Sequence, residues 1–286
     1  MHPFESPPPL ADVRGAVLAP GHLWVRERVL GAPLRFSLDD AGLLAFGDDE
    51  RTFPVRDVPP GHRFATRHVR EAFDRDGFRA AVDDPAAYTF LARATRFEGV
   101  PYDFDRLPPV LGLAVVGPDG RVPLDRADAA FDRLGLDALP VVRKEVPVRD
   151  FDPGTVAWPD AAYSDGPAAG LVLDHRGGPW ATYVRDGDAP VPDPAPFGDP
   201  DPDALADRLV TPERVAAATD LPAAAVDPGD ALRTAGVGVE TARRLVADRV
   251  LRTEWGRIAA TGGLDPTAVA AAVGDRVRRL VVGADG

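Results

Sequence analysis

A run made almost entirely of Asp, Pro, Gly and Ala divides this chain of 286 residues into two parts of different character. The run covers residues 186–203 and offers little apolar surface that could anchor a core. Such a composition is typical of a linker, because Pro and Gly interrupt regular structure. We therefore predict a first domain over residues 1–190, a linker over 191–203 and a second domain over 204–286.

The part before the run contains short apolar segments that indicate β-strands. A hairpin is predicted over residues 34–46, where such segments flank a turn at 39–42. Between 66 and 82, apolar residues fall at near-helical spacing around Asp76-Gly77, which predicts a helix in two pieces. Further strands are predicted over 88–94, 110–116, 139–142, 170–174 and 180–185, with a short helix over 125–134.

The part after the run carries the signals of helices. Thr211 and Asp265 each precede a proline, an order that places a capping side chain before a proline at the first helical position. Residues 239–260 show a long helical pattern, and a last helix follows Asp265. We therefore predict that the second domain is small and entirely helical.

Composition excludes several kinds of site. The chain contains no cysteine, which excludes disulfide bonds, thiolate metal sites and cysteine nucleophiles. Its five histidines lack the spacing of metal ligands, so we predict no metal site from them. No apolar run approaches the ~20 residues of a membrane helix. The first ten residues also lack the order of a signal peptide, so we expect a cytoplasmic protein without membrane contact.

The formal charge is −12, and its origin matters more than its size. The acidic set is mostly Asp, whereas the basic set is almost entirely Arg, with Lys144 as the only lysine. This balance is typical of a high-salt cytosol or a GC-rich genome, and it predicts a halophilic source. High salt screens surface charge over a few ångströms, so the acidity does not argue against a nucleic-acid partner.

Residues 23–36 read LWVRERVLGAPLRF and resemble the nucleotide-attachment segment of ATP-dependent RNA ligases. That segment has a Glu-Lys pair, then a glycine and a phenylalanine, and the positions that fit are Glu27, Gly31 and Phe36. Arg28 stands at the lysine nucleophile, and Leu30 departs from the Asp or His of the family. Weaker matches follow in order at 102–115, 131–142, 166–173 and 180–185, and the tail from 209 resembles the extension of archaeal-type members.

The resemblance implies an α+β nucleotidyltransferase fold with mixed, mainly antiparallel sheets and a small all-α C-terminal domain. It also implies ATP and Mg²⁺ as cofactors and RNA as a partner. The nucleotide would lie in a cleft between the strand that carries Glu27 and the strands at 170–174 and 180–185. The residues assigned to nucleotide binding are Glu27, Arg28, Gly31, Arg35 and Arg185.

The departures from the family fall on the positions that carry its chemistry. In those ligases a lysine amine attacks the α-phosphate of ATP, a glutamate helps to position a divalent cation, and a second lysine grips the phosphate. A guanidinium with a pKa above ~12 cannot supply the unprotonated amine. The residues at these positions here are Arg28, Ala169 and either Ala181 or Thr182, and Ala114 replaces an aspartate of the family.

We therefore predict a catalytically degenerate RNA ligase-like protein that binds nucleotide or RNA ends, or accompanies an active ligase or another RNA-processing protein. Two alternatives remain: an active ligase whose nucleophile is unrecognised, for which Lys144 is the only lysine, and a protein-interaction module on the same fold.

Two roles are open for each charged residue of the motif. Arg28 holds a phosphate or forms a surface ion pair, and Glu27 contacts a nucleotide or pairs with an arginine. A basic stretch lines a nucleic-acid groove or forms a solvated helix face, and its members are Arg56, Arg63, Arg67 and Arg70.

Overall fold

The computed structural model describes residues 1–54, 56–176, 178–184, 191–199, 201–219, 221 and 228–282. The chain divides into two compact units. The first unit comprises Met1–Val58, Ala65–Thr95 and Val100–Pro192. The second comprises Pro59–Phe64, Arg96–Gly99 and Asp193–Gly286, so it takes two short segments from the first half of the chain.

The predicted strands and helices are present in their predicted order, the strand expected over 139–142 lies at Val141–Pro147, and α1, β6 and β7 are additional. The strands are β1 (His22–Glu27), β2 (Ala32–Leu38), β3 (Leu44–Gly47), β4 (Thr89–Ala94), β5 (Val110–Gly117), β6 (Gly120–Arg121), β7 (Asp137–Ala138), β8 (Val141–Pro147), β9 (Leu171–His175) and β10 (Trp180–Tyr183). The helices are α1 (Leu10–Val17), α2 (Arg63–Ala72), α3 (Arg75–Ala81), α4 (Leu124–Arg133), α5 (Pro202–Leu209), α6 (Pro212–Ala218), α7 (Pro228–Thr234), α8 (Val239–Ala260) and α9 (Pro266–Val282).

The first unit contains two sheets. One has the strand order β10-β9-β1-β8 and is antiparallel throughout. The other has the order β3-β2-β4-β5-β6, with β7 beside β5 in the parallel direction. This architecture confirms the α+β prediction with mixed, mainly antiparallel sheets. The predicted hairpin is β2–β3, in which Phe36 pairs with Phe46.

The helix predicted in two pieces consists of α2 and α3, but the break lies at Asp74 and not at Asp76-Gly77. The Asp74 side chain accepts a hydrogen bond from the Gly77 N–H and so caps α3. The cap satisfies the Gly77 N–H, which would otherwise be an unpaired amide of the first turn. Gly77 therefore lies inside α3, although the sequence pattern placed the break there.

The two sheets share an apolar core, which we call the central cluster. It takes side chains from β9 and β10 of one sheet, from β4 and β5 of the other, and from the segments between strands. Its buried members are Phe4, Val29, Leu30, Leu91, Tyr102, Leu107, Leu111, Leu113, Ala114, Leu139, Val172 and Trp180. Leu171 and Leu173 flank Val172 in β9 and belong to a different cluster that includes residues of α1, as the period of two in a strand requires. Burial of each large apolar side chain contributes roughly 1.5–3 kcal/mol.

The second unit is helical, and both predicted caps are present. The Thr211 side chain accepts from the Arg214 N–H, and Asp265 accepts from the Thr267 N–H. The core of this unit lies among α5 to α9. Among the described residues, no helix is both long and apolar enough to cross a membrane.

One residue of the proline-rich run departs from the sequence interpretation. Phe197 is buried in the helical core, and its N–H donates to the Thr261 hydroxyl at 2.8 Å. The expectation that this run cannot anchor a core is therefore wrong at Phe197, because a single aromatic ring supplies the apolar area that its neighbours lack. Residues 186–190 and 200 lie outside the described residues.

Candidate functional site

The end of β1 is held by backbone hydrogen bonds on both sides. The Glu27 N–H donates to the Pro140 carbonyl, and the Arg28 N–H donates to the Gly170 carbonyl, each at 2.8 Å. The aliphatic stem of Arg28 lies against Gly170, where a Cβ would be 2.9 Å from the Arg28 Cδ. Gly31 faces a similar limit, because a Cβ there would be 2.5 Å from the Ala94 carbonyl oxygen. Both glycines are therefore required for close approach of the chain.

Glu27 is a buried carboxyl group with one oxygen bound. Its Oε2 accepts from the Ala162 N–H at 2.9 Å, whereas Oε1 has no hydrogen-bond partner among the described residues. Burial raises the pKa of Glu27 above its ordinary value, and the hydrogen bond from Ala162 opposes this shift. Burial also raises the pKa of Tyr163, and the Asp137 and Glu27 carboxylates add to that effect.

The positions that resemble the carboxylates of the ligases lie in an apolar environment. Ala114 is a buried member of the central cluster, and Ala169 packs against the same cluster. Ala181, one of the two positions for the second lysine, is fully buried in the cluster that includes α1 residues. At the other position, the Thr182 N–H donates to the Pro8 carbonyl at 2.7 Å and the Thr182 hydroxyl donates to the Pro7 carbonyl at 3.2 Å.

Residues 1–9 connect the two sheets across this region. While Pro7 and Pro8 bind β10, the His2 N–H donates to the Thr89 hydroxyl of β4 at 2.8 Å. The His2 carbonyl accepts from Arg35 Nη1 of β2 at 2.9 Å. Phe4 lies between these anchors with 8% of its surface exposed, as a member of the central cluster. The space between the strands that the resemblance assigns to a nucleotide is therefore filled by apolar side chains.

The assigned nucleotide-binding residues do not all meet at one place. Glu27, Arg28 and Gly31 lie at or just beyond the end of β1, whereas Arg35 is buried in β2 and binds the His2 carbonyl. Arg185 lies outside the described residues. These residue types do not fit ATP and Mg²⁺ bound as in a ligase, because Ala114 and Ala169 have no oxygen donor in their side chains. Within the part of the chain that the structure describes, no group of three His, Asp or Glu side chains is arranged to hold a metal.

A cavity of about 490 Å³ with both polar and apolar walls lies toward the beginning of β1, away from Arg28. It is bordered by β5, by the amino-terminal end of α4 and by the end of β9. The residues that matter for its chemistry are Trp24, Arg121, Asp125, Arg126, Glu145, Asp174 and Arg176. None of them was singled out from the sequence.

Arg26 forms the buried support of this cavity. Its side chain is fully buried, and Nε and Nη2 donate to Asp174 Oδ2 at 3.1 and 2.8 Å. Nη2 also donates to the Leu113 carbonyl at 3.0 Å, and Nη1 lies 3.7 Å from Asp128. Burial raises the pKa of Asp128, and the Arg26 charge opposes this shift. No local pattern marks Arg26, because it stands in a charged run with Glu27 and Arg28 and its partners Asp128 and Asp174 are distant in sequence.

Arg121 connects Asp174 to the wall of the cavity. Its Nη1 is 3.4 Å from Asp174 Oδ1, and its guanidinium carbon lies 4.1 Å from the centre of the Trp180 ring. Burial lowers the pKa of Arg121, and the Asp174 carboxylate opposes this shift. Both oxygens of Asp174 are therefore paired with arginines.

No family model and no curated protein sequence matches this chain. Its structure is similar to that of a variant of Naegleria gruberi RNA ligase with ATP and Mn, with a TM-score of 0.51 over 65% of this chain and 56% of that chain. The fold is that of the RNA ligase-like nucleotidyltransferases. The identity to the Naegleria ligase is 7%, so the likeness concerns the fold alone.

The aligned part of this chain spans just over half the length of the Naegleria ligase. An archaeal ATP-dependent RNA ligase aligns with 99% of this chain and 65% of its own length, at 14% identity and a TM-score of 0.45. The comparison with the Naegleria ligase confirms the fold that the motif at residues 23–36 implies.

Proposed function

We propose that this protein is a catalytically degenerate RNA ligase-like protein that binds nucleotide or RNA ends, alone or beside an active ligase. One observation carries the proposal. The positions that resemble the nucleophile, the carboxylates and the second lysine hold no amine and no carboxylate, and the alanines among them pack in apolar clusters.

The chemistry of Arg28 supports this proposal. A guanidinium delocalises its charge and remains protonated at any pH at which the protein is folded, so it supplies no lone pair to attack a phosphate. The only lysine, Lys144, has its ammonium 4.4 Å from the centre of the Trp24 ring. Trp24 precedes Arg28 by four residues, which is about 13 Å along a strand. Lys144 is therefore not a substitute at the position of the family nucleophile.

Incubation with ATP labelled on the α-phosphate tests the loss of adenylation. We expect no covalent adduct on the protein after denaturing electrophoresis without an acid step, with or without Mg²⁺ or Mn²⁺, because acid cleaves the phosphorus–nitrogen bond of a lysyl adenylate. An active ligase of the same fold serves as the positive control. An adduct that forms on the wild type and disappears in Lys144→Ala would replace the proposal by the active-ligase alternative.

The protein-interaction module is a second candidate, and the apolar filling between the sheets favours it. Phe4, Val29 and Leu30 are buried members of the central cluster, and Val29 and Leu30 come just after the end of β1. Calorimetric titration with ATP and with RNA at high KCl separates the two candidates. Binding of neither ligand would support the interaction module, whereas binding of either supports the nucleotide or RNA-end reading. The Naegleria structure that shares the fold holds ATP and Mn, so nucleotides are the first ligands to test.

A further inference from the structure

The Trp24 ring beside the cavity is held from two directions. Its indole N–H donates to Glu145 Oε1 at 2.9 Å, and the Lys144 ammonium lies 4.4 Å from its ring centre. The other oxygen of Glu145 accepts from Arg176 Nη1 at 3.1 Å. One carboxylate thus orients both an aromatic ring and a guanidinium at the cavity.

The backbone at Glu145 is strained at the point where its side chain binds Trp24 and Arg176. Among the described residues, Glu145 is the non-glycine residue with a left-handed backbone, at a φ of 53°. It lies at an irregularity between β1 and β8, where Leu23 pairs with Val146 but Val25 pairs with Arg143. Such bulges turn side chains in a new direction, and a conformation of this kind costs about 1–3 kcal/mol. Strain is concentrated at binding and active sites, so its presence here points to a function of the cavity.

The carboxylates of the cavity are largely committed to pairs within the protein. Asp174 pairs with Arg26 and Arg121, and Glu145 pairs with Trp24 and Arg176. Arg126 differs from these residues. Its side chain is exposed and lines the cavity, and within the described residues it has no hydrogen bond or ion pair.

The amino-terminal end of α4 adds hydrogen-bond donors beside Arg126. Pro123 occupies the N-cap and supplies no capping side chain, and its carbonyl accepts from the Arg126 and Ala127 N–H groups. Among the described residues, the amides of Leu124 and Asp125 are the ones left without an acceptor. Asp125 of the same turn also lines the cavity. The wall therefore offers an aromatic surface at Trp24, cationic donors at Arg126 and an acceptor at Asp125.

We infer that this cavity binds one nucleotide unit, with its phosphate at Arg126 and the α4 amides and its base near Trp24. A nucleotide combines a flat ring, an anionic group and ring donors, which are the three properties that the wall complements. The inference rests on the proposed function. It places the binding site at the start of β1, because apolar side chains pack beside the end of β1, and Ala114, one of the family positions, also borders the cavity. The nucleotide is either a free mononucleotide or the 5′-terminal nucleotide of an RNA.

Titration of the full chain with three probes tests the site and separates the two sources. The probes are AMP, a 5′-phosphorylated oligoadenylate and the same oligoadenylate with a 5′-hydroxyl, each at one fixed KCl concentration. Arg126→Glu removes the unpaired cation and introduces a charge that repels phosphate. We expect it to weaken binding about tenfold or more, because a charge-assisted hydrogen bond is lost.

One variant provides a matched control. Arg133→Glu makes the same change at the exposed end of the same helix and should retain affinity within about twofold, since Arg133 does not line the cavity. Arg28→Ala tests the competing position at the end of β1, which the resemblance assigns to the phosphate. Circular dichroism checks that each variant is folded.

The outcomes distinguish failure of the cavity assignment from failure of the proposed function. Tight binding of AMP indicates a mononucleotide site, and binding of only the phosphorylated oligonucleotide indicates an RNA end. Equal affinity for the 5′-hydroxyl and 5′-phosphorylated oligonucleotides, with no AMP binding, overturns the phosphate assignment. Binding that depends on Arg28 and not on Arg126 overturns the cavity assignment and leaves the proposed function intact. If no probe binds the wild type, both fail and the interaction module stands.

Discussion

At the scale of single residues, the first unit contains charged side chains in two unlike settings. Arg26 is buried with its charge matched by Asp174 and Asp128. Loss of one partner of such a pair leaves an uncompensated buried charge, which is far more costly than loss of a surface pair. Glu27, the next residue, is buried, and its carboxyl group accepts a hydrogen bond from the Ala162 N–H.

Glu27 should therefore make stability depend on pH. Burial raises its pKa in the folded state above the ordinary value of 4.5, so the folded protein holds this proton more tightly than the unfolded chain. The contribution of the protonated group is present below the unfolded pKa and is lost as pH rises through the folded pKa. We expect the free energy of unfolding of Glu27→Gln, relative to the wild type, to increase between pH 4 and pH 7.

Urea denaturation of both proteins at matched ionic strength measures this difference. The contributions of all other titrating groups cancel in the difference between the two free energies of unfolding. The amide itself adds an offset that does not change with pH, so the trend with pH reports on Glu27. A difference that stays constant with pH, or that falls as pH rises, would show that burial does not raise the pKa of Glu27.

At the scale of elements, the segment 1–9 is as much a part of the first unit as its strands. It has no helix or strand of its own over most of its length, yet it bonds to β2, β4 and β10. Phe4 contributes its ring to the central cluster from this segment. An extended segment that is anchored at both ends and buries an aromatic ring stabilises the sheets that it joins.

Phe4→Ala should consequently destabilise the protein by about 3 kcal/mol, the lower end for removal of a buried phenyl group. Leu43→Ala is the matched control, because Leu43 is 61% exposed and its loss should change stability by less than about 0.5 kcal/mol. Denaturant unfolding of the two variants measures both values. Equal effects of the two substitutions would mean that the segment 1–9 does not pack in solution as described.

At the scale of the whole molecule, the two units are not consecutive in sequence. Arg96–Gly99 belongs to the second unit, where the Phe97 N–H donates to the Arg252 carbonyl and the Phe97 carbonyl accepts from the Gly256 N–H. A peptide of this segment is thus inserted into the hydrogen-bond ladder of α8. The cation of Arg96 also lies 4.3 Å from the Trp255 ring.

Limited proteolysis should cut first within residues 186–192, where the composition offers least apolar surface. Because the second unit includes segments from before the cut, we expect the two fragments to remain together. Denaturing electrophoresis should show two fragments, while size-exclusion chromatography without denaturant should show one peak at the mass of the intact chain. A first cut within 21–185, or separation of the fragments on the column, would contradict this division.

Local pattern determined much of this architecture. Alternation predicted the β2–β3 hairpin, and a capping residue before proline predicted the starts of α6 and α9, because these signals act between residues a few positions apart. The motif around Glu27 and Gly31 implied the fold, and the substitutions at Arg28, Ala114 and Ala169 were readable from their order alone.

Only the tertiary structure decided which distant residues meet. Phe4 and Trp180 fill the space between the sheets, and Arg26, Asp174 and Arg121 come together beside a cavity that no short-range pattern indicates. Phe197 likewise joins a core from a run that composition alone marks as a linker. The physical reason is that burial and ion pairing depend on side chains brought together across many residues of chain, whereas periodicity reports only the environment along one element.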